Sequence, residues 1–350
     1  MSNILPIGIS LTRTFGKNVS EEIVMTAADA MISRGFKDAG YEYLIVGDGF
    51  LKSRRDGNGD LVCDTEKFSD GVKALADGIH ARGLKLGVLL SAGAVTINGA
   101  PGSHENEYHD AAMLASWGVD YIALDVSDIP ARADVKNLIR RWGMAVRNTG
   151  RPMLLAVYSD TSGMHKWIRS TGAGSYCCRK YADARGVVLP DESIAGYSGD
   201  YCLASHGDIT LDGSCCGASL RTQLTLAAIM SAPIIVDCDP MAISEENVGM
   251  LTDEALLSIA LDPECRPARR LGEGVYAKFL DNSEYALAFV NGESDNAVLE
   301  FYTYDFGLTR NCGLVYGISP VFAGEATELD ACIRVGLPPK DAALYRMTLK

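Results

Sequence analysis

From residue 4 to about residue 262, short apolar runs of strand length alternate with longer stretches of helical periodicity. "LPIGISL" precedes the helical pattern of "SEEIVMTAADAMISRGFKDAG", "YEYLIVGD" precedes "EKFSDGVKALADGIHARG", and "LKLGVLLS" precedes "ENEYHDAAMLASWG". "VDYIALD" and "PMLLAVYS" read as a fourth and a fifth strand, and "PIIVDCD" as an eighth with "SEENVGMLTDEALLSIAL" after it. A sixth is expected near Arg169 to Gly172 and a seventh near "SIAGYSG". Strands separated by helices pair in parallel through right-handed crossovers. Eight such units in about 260 residues predict an α/β fold, the (β/α)8 TIM barrel, whose usual length is roughly 250. Helix ends agree: Ser20 before "EEIV" suits an N-cap, and "RGFKDAG" and "RGLKLG" put glycine where a left-handed C-cap fits.

After "RRLGEGV" the period changes. "VYAKFL", "YALAFVN", "AVLEFYTY", "CGLVYGI" and "AALYRMTL" are strand-like runs between polar turns, which predicts a small antiparallel β-sandwich. The expected division is a barrel over 1–271 and a β domain over 272–350.

The formal net charge of −13 is spread without a basic stripe, so neither nucleic acid nor an anionic membrane is an expected partner. No window approaches the roughly 18 consecutive apolar residues of a membrane span. "MSNILPIGIS" lacks the basic and apolar regions of a secretory signal, and a cytoplasmic location is expected. In that reducing setting the ten cysteines read as free thiols. Zinc held by Cys177, Cys178, Cys202, His206, Cys215 and Cys216 is the rival reading, but no C-x-x-C spacing supports it. No metal or other cofactor is expected.

In a barrel of this kind the strand C-termini form the catalytic face. Asp48, Ser91, Asp125, Ser159 or Asp160, Asp200 and Asp239 all fall at or just after expected strand ends. Any one of them can be a helix cap. Six polar ends on one rim fit a shared polar ligand better.

The ordered stretches "TFGKNVSEE", "DAMISRGFKDAGYEYLIVGDGF", "GAPGS", "LASWGVDYIALD" and "APIIVDCDPMAISEENVGMLTDEALLSIALDP" resemble glycoside hydrolase family 27, the retaining α-galactosidases and α-N-acetylgalactosaminidases. The resemblance implies Asp125 as nucleophile, with Ala123 where the family has lysine. The family's paired aspartates become Gly47 and Asp48, its third-strand tyrosine becomes Leu89, and its fifth-strand glutamate becomes Ser159, beside Asp160. The family stretch Trp-Arg-Thr-Thr-Gly-Asp matches "WIRSTGA", which keeps Arg169, inserts Ile168 after Trp167 and places Ala173 at the acid/base. Its Trp-Asn-Asp-Pro-Asp-Met matches "YSGDYC", leaving Asp200, and its disulfide positions fall on Ile97 and Ser127.

The resulting expectation is an α-galactosidase-like hydrolase acting on a carbohydrate or glycoside, with Asp125 as nucleophile and shifted specificity. Asp200 is the first replacement for the acid, ahead of Asp160, Tyr176 or Asp183, while Asp48, Arg169 and Asp160 bind substrate. Two alternatives stand beside it: a catalytically silent carbohydrate-binding barrel, and different chemistry on a polar small molecule at the same rim. His80 is expected to be structural, as are Trp117 and Trp142, and Trp167 is a candidate for the sugar site.

Overall fold

A computed structural model describes residues 5–159, 161, 163–178, 203–205, 208–211, 217–308, 315–322, 324–329 and 331–350; the side chains of residues 169, 177, 178 and 203–205 lie outside that description. Among these residues nine strands form one sheet: β1 (Ile7–Ser10), β2 (Tyr43–Val46), β3 (Lys85–Ser91), β4 (Tyr121–Asp125), β5 (Leu154–Tyr158), β6 (Tyr176–Cys178), β7 (Leu203–Ser205), β8 (Ile209–Thr210) and β9 (Ile234–Asp237). Their order is β7-β6-β5-β4-β3-β2-β1-β9-β8, and the pairings are parallel. Helices α1 (Glu21–Ser33), α2 (Gly71–Ala81), α3 (Glu107–Trp117), α4 (Val135–Asn148), α5 (Met164–Thr171), α6 (Ala218–Ile229), α7 (Glu245–Leu251) and α8 (Glu254–Ala260) follow or separate the strands.

The sheet is curled. Ile45, Tyr121, Ala123, Ala156, Tyr158, Tyr176 and Ile235 come from β2, β4, β5, β6 and β9, yet pack into one apolar cluster on its inner side. A second, larger cluster lies between the sheet and the helices. Both faces of the strands are therefore covered, which is why they read as continuous apolar runs rather than alternating ones. On α4 the buried Leu138, Ile139, Trp142, Ala145 and Val146 repeat at helical spacing and give the stripe that docks on the sheet. Ser20 caps α1 by accepting from the Ile23 N–H at 3.3 Å, and Gly35 and Gly83 follow their helices at φ 80° and 70°.

The sixth strand is not where the sequence pattern put it. Arg169 to Gly172 close α5, whose last turn ends on Gly172 at φ 57°, and the strand runs over Tyr176–Cys178 instead. The expected seventh strand near "SIAGYSG" lies outside the described residues.

The C-terminal region is antiparallel and its sheet begins already at Arg269. Strands β10 (Arg269–Gly272), β11 (Val275–Phe279), β12 (Tyr285–Val290), β13 (Ala297–Tyr302), β14 (Tyr316–Pro320), β15 (Thr327–Leu329), β16 (Cys332–Leu337) and β17 (Ala342–Leu349) form a six-stranded sheet, β10-β11-β12-β17-β14-β15, and a two-stranded ribbon, β13-β16. Strand alternation sorts the sides. Val275, Ala277, Leu287 and Phe289 pack with Phe301, Val335 and Leu337 of the ribbon. Tyr276, Ala286, Ala288 and Val290 join the core shared with the helices. Strands β10 and β15 escape pattern reading because they are short or largely exposed, and β16 was missed as well.

Lys278 stands on that helix-facing side and is 1% exposed. Its ammonium donates to the carbonyls of Ala228 at 2.7 Å and Ile259 at 2.8 Å, and to Ser231 Oγ at 2.9 Å. The two carbonyls belong to the last turns of α6 and α8, where a cation also meets the negative helix ends. Burial nevertheless pushes the amine down to about 7, with Asp262 and Cys265 pulling the other way. An unfolded lysine titrates near about 10.4, so between the two values the folded state holds fewer protons and stability rises with pH. Urea unfolding at about pH 6 and about pH 9 should show the wild type gaining on Lys278→Met as pH rises. A gap independent of pH would contradict the assignment.

Candidate active site

The pairing register places Asp125 beside Ser91 on one side and Tyr158 on the other, all at strand C-termini. Asp125 and Tyr158 line a cavity of about 320 Å³, together with Ser10, Thr12, Arg13, Gly16, Ile45, Leu89, Ile97, Asn98, Ala123 and Asp208. Asp125 Oδ1 accepts from the Ser127 N–H at 2.9 Å and from the Ser127 hydroxyl, which fixes the carboxylate at the rim. Ser127 and Ile97 occupy the positions matched to the family disulfide; here one orients the carboxylate and the other lines the mouth.

Asp48 reaches the site indirectly. It is 1% exposed in a turn after β2 and accepts from the Asn98 side-chain amide and from the Asn98 N–H at 3.2 Å. Asn98, not Asp48, faces the cavity. Two other rim candidates have local roles: Ser91 Oγ accepts from the Gly93 N–H at 3.0 Å, and Asp239 Oδ1 accepts from the Met241 N–H at 2.9 Å. Asp160 and Asp200 lie outside the described residues, as does the Arg169 side chain.

The structure overturns the reading of Ala173 as the acid/base position. Ala173 is 2% exposed and precedes β6, so it sits at the end of the strand opposite the rim. A Cβ on Gly143 of α4 would lie 2.1 Å from its carbonyl oxygen, which places it beneath an outer helix. Trp167 is likewise on α5, with Lys136 and Arg140 of α4 over its ring at 5.8 and 5.9 Å, away from the cavity. His80 is structural: its Nε2 lies 2.7 Å from Asp120 Oδ2, and Asp120 also binds Arg151 at the strand's starting end.

Pattern reading missed a heavily bonded carboxylate at a strand end. Asp237, ending β9 and fully buried, accepts five hydrogen bonds. Oδ2 takes Ser10 Oγ and Thr12 Oγ1 at 2.8 Å and the Arg13 N–H at 3.0 Å. Oδ1 takes the Thr14 N–H at 2.9 Å and Thr14 Oγ1 at 2.8 Å. Ser10, Thr12 and Arg13 are cavity residues, so one carboxylate sets a whole wall. The signal in the sequence was the run "SLTRT", with hydroxyls at alternate positions. Asp208 was missed as well; it accepts from the Tyr158 hydroxyl at 3.0 Å, and Tyr158 in turn meets the hydroxyl of the buried Tyr121 at 3.2 Å.

Among the described cysteines, Cys63, Cys238 and Cys332 are free thiols. The side chains of the proposed zinc pool lie outside the description.

A strand-end carboxylate thus lines a hollow in a curled parallel sheet, and comparison with known proteins identifies the family. The family model for alpha galactosidase A matches residues 9–186. Alpha-galactosidase A of Cellvibrio japonicus is 32% identical over 311 residues, covering 83% of this chain and 76% of that protein. The crystal structure of alpha-galactosidase I from Mortierella vinacea superposes with a TM-score of 0.89 at 20% identity, covering 99% of this chain and 98% of that one. The α-galactosidase of Saccharomyces cerevisiae, solved with raffinose, gives a TM-score of 0.84 at 19% identity, covering 99% and 98%. The chain belongs to the α-galactosidase-like glycoside hydrolases of family 27.

Proposed function

We propose that the protein is a retaining glycosidase with a closed (β/α)8 barrel, in which Asp125 attacks the anomeric carbon of a glycoside. The observation that carries this reading is the Asp125 carboxylate, oriented by Ser127 on the wall of the cavity. A retaining mechanism needs a second carboxyl roughly 5 to 5.5 Å away to protonate the leaving oxygen. Asp208 shares the cavity but is occupied as an acceptor of the Tyr158 hydroxyl.

β6 ends at Cys178, and Arg179 is the next residue in the sequence. The family stretch carries arginine and, four residues on, the acid. Arg179 and Asp183 repeat that spacing directly after β6, so the donor is assigned to Asp183 in preference to Asp200. Asp48 then acts through Asn98 on a sugar hydroxyl, and the substrate is a carbohydrate, the class of the raffinose with which the yeast relative was solved.

Leaving-group dependence tests the assignment. Asp183→Asn should reduce kcat/KM by about 10² to 10⁴-fold on a glycoside with a poor leaving group. On a dinitrophenyl glycoside, whose departure needs little protonation, it should change little. Asp200→Asn showing that split instead would move the donor there. If no aryl glycoside is turned over and a fluorinated glycosyl fluoride leaves Asp125 unlabelled, the hydrolase reading fails.

A further inference from the structure

We infer that Thr12 is a specificity-determining residue that reads the substrate as a hydrogen-bond acceptor only: the sugar must bring it a hydrogen, on a hydroxyl or an amine, at the edge that rests against the β1 wall. The inference rests on the cavity being a glycoside site, and it turns on where two protons go. Ser10 Oγ and Thr12 Oγ1 stand 2.9 Å apart, and each is 2.8 Å from Asp237 Oδ2. A hydroxyl has one hydrogen to donate and a carboxylate oxygen has none. Two hydrogens therefore serve three contacts, and both lie inside the triangle.

Neither proton is free to leave it. Asp237 is fully buried, so its hydrogen bonds stand in for the water its charge has lost. A hydroxyl turned toward the cavity would exchange a bond to that carboxylate for a weaker one to a neutral group. Ser10 is itself buried, and its Oγ also receives the Thr12 N–H at 3.3 Å. Thr12 is only half-buried and lines the cavity, so it is the member of the pair that meets a ligand, and it does so with lone pairs. Glycine at 47 lets it stand this close to the neighbouring strand end, since a Cβ there would lie 3.2 Å from Thr12 Cα. Strands β2 and β3 separate β1 from β4. Thr12 and Asp125 therefore bound the cavity from different sides, and a ring reacting at Asp125 rests another edge on Thr12.

The test measures galactose and its singly substituted analogues as competitive inhibitors of dinitrophenyl α-galactoside turnover, with the rise in melting temperature as a second readout. At each hydroxyl other than the anomeric one, fluorine supplies a group with no hydrogen, and a protonated amine supplies one that can only donate. At one position the fluoro sugar should bind roughly 10- to 100-fold more weakly than galactose, the scale of a buried hydrogen bond left unmade, while the amino sugar stays within about tenfold. Thr12→Val should erase that contrast at that position alone, and Thr12→Ser should restore it. A residue that merely shapes the wall would move all the analogues together. Thr12→Ala serves if the valine variant fails to fold. Fluorine tolerated at every position overturns the inference and leaves the hydrolase reading intact, as does a fluoro–amino contrast that survives in a folded Thr12 variant. Should no glycoside react and none of the free sugars raise the melting temperature, both readings fall.

Discussion

Asp125→Asn is expected to lower kcat/KM on a dinitrophenyl glycoside by roughly 10⁴-fold or more, the scale seen when a covalent nucleophile is removed. The amide keeps an oxygen for the Ser127 N–H and hydroxyl, so the rim geometry and the melting temperature should hardly move. What disappears is the electron pair that forms the glycosyl-enzyme bond. In Asp125→Gly, which vacates the space of the carboxylate, added azide should restore turnover, giving a glycosyl azide of inverted configuration. Asp208→Asn provides the contrast, since that side chain lines the same cavity but is bound to Tyr158. Activity of Asp125→Asn within tenfold of wild type would remove Asp125 from the mechanism.

How much of this was legible in the sequence depended on whether a feature is local. Strands β1 to β5 and β9 were readable because burial on both faces makes each one a continuous apolar run. Caps were readable because Ser20 bonds to an N–H three residues on. The sixth strand failed for a reason visible in retrospect. "WIRSTG" looked like the strand-borne family stretch, yet Met164 and Ile168 are buried at helical spacing and glycines bound the segment at 163 and 172. The motif match outweighed the period, and that single shift moved the supposed acid position to the wrong end of a strand. Distant partners were beyond reach. Nothing near Asp237 in the sequence announces that residues 10 to 14 will converge on it, and the neighbouring Asp239 looked equally suited to the rim. The departures at Leu89 and Ala123 were half legible: each was recognised singly, but only the register shows that they are paired, two residues before Ser91 and Asp125.

Asp237→Ala is expected to destabilise the protein by about 2–6 kcal/mol, because two backbone N–H groups lose their acceptor and each buried unpaired donor costs about 1–3 kcal/mol. Three of the five donors are hydroxyls, which can rotate toward other acceptors. The N–H groups of Arg13 and Thr14 cannot, because the backbone aims them at Oδ2 and Oδ1 respectively. The same geometry makes asparagine a poor replacement. Whichever end of the amide becomes NH₂ opposes one of those two N–H groups, and a buried donor left unpaired costs about 1–3 kcal/mol. Alanine should therefore be worse than asparagine, with both below wild type in urea unfolding. Because Thr12 and Arg13 face the cavity, the surviving folded asparagine variant should show a raised KM with a smaller change in kcat. An Asp237→Asn protein with wild-type stability and wild-type KM would mean that the strand-one wall holds its shape without the carboxylate.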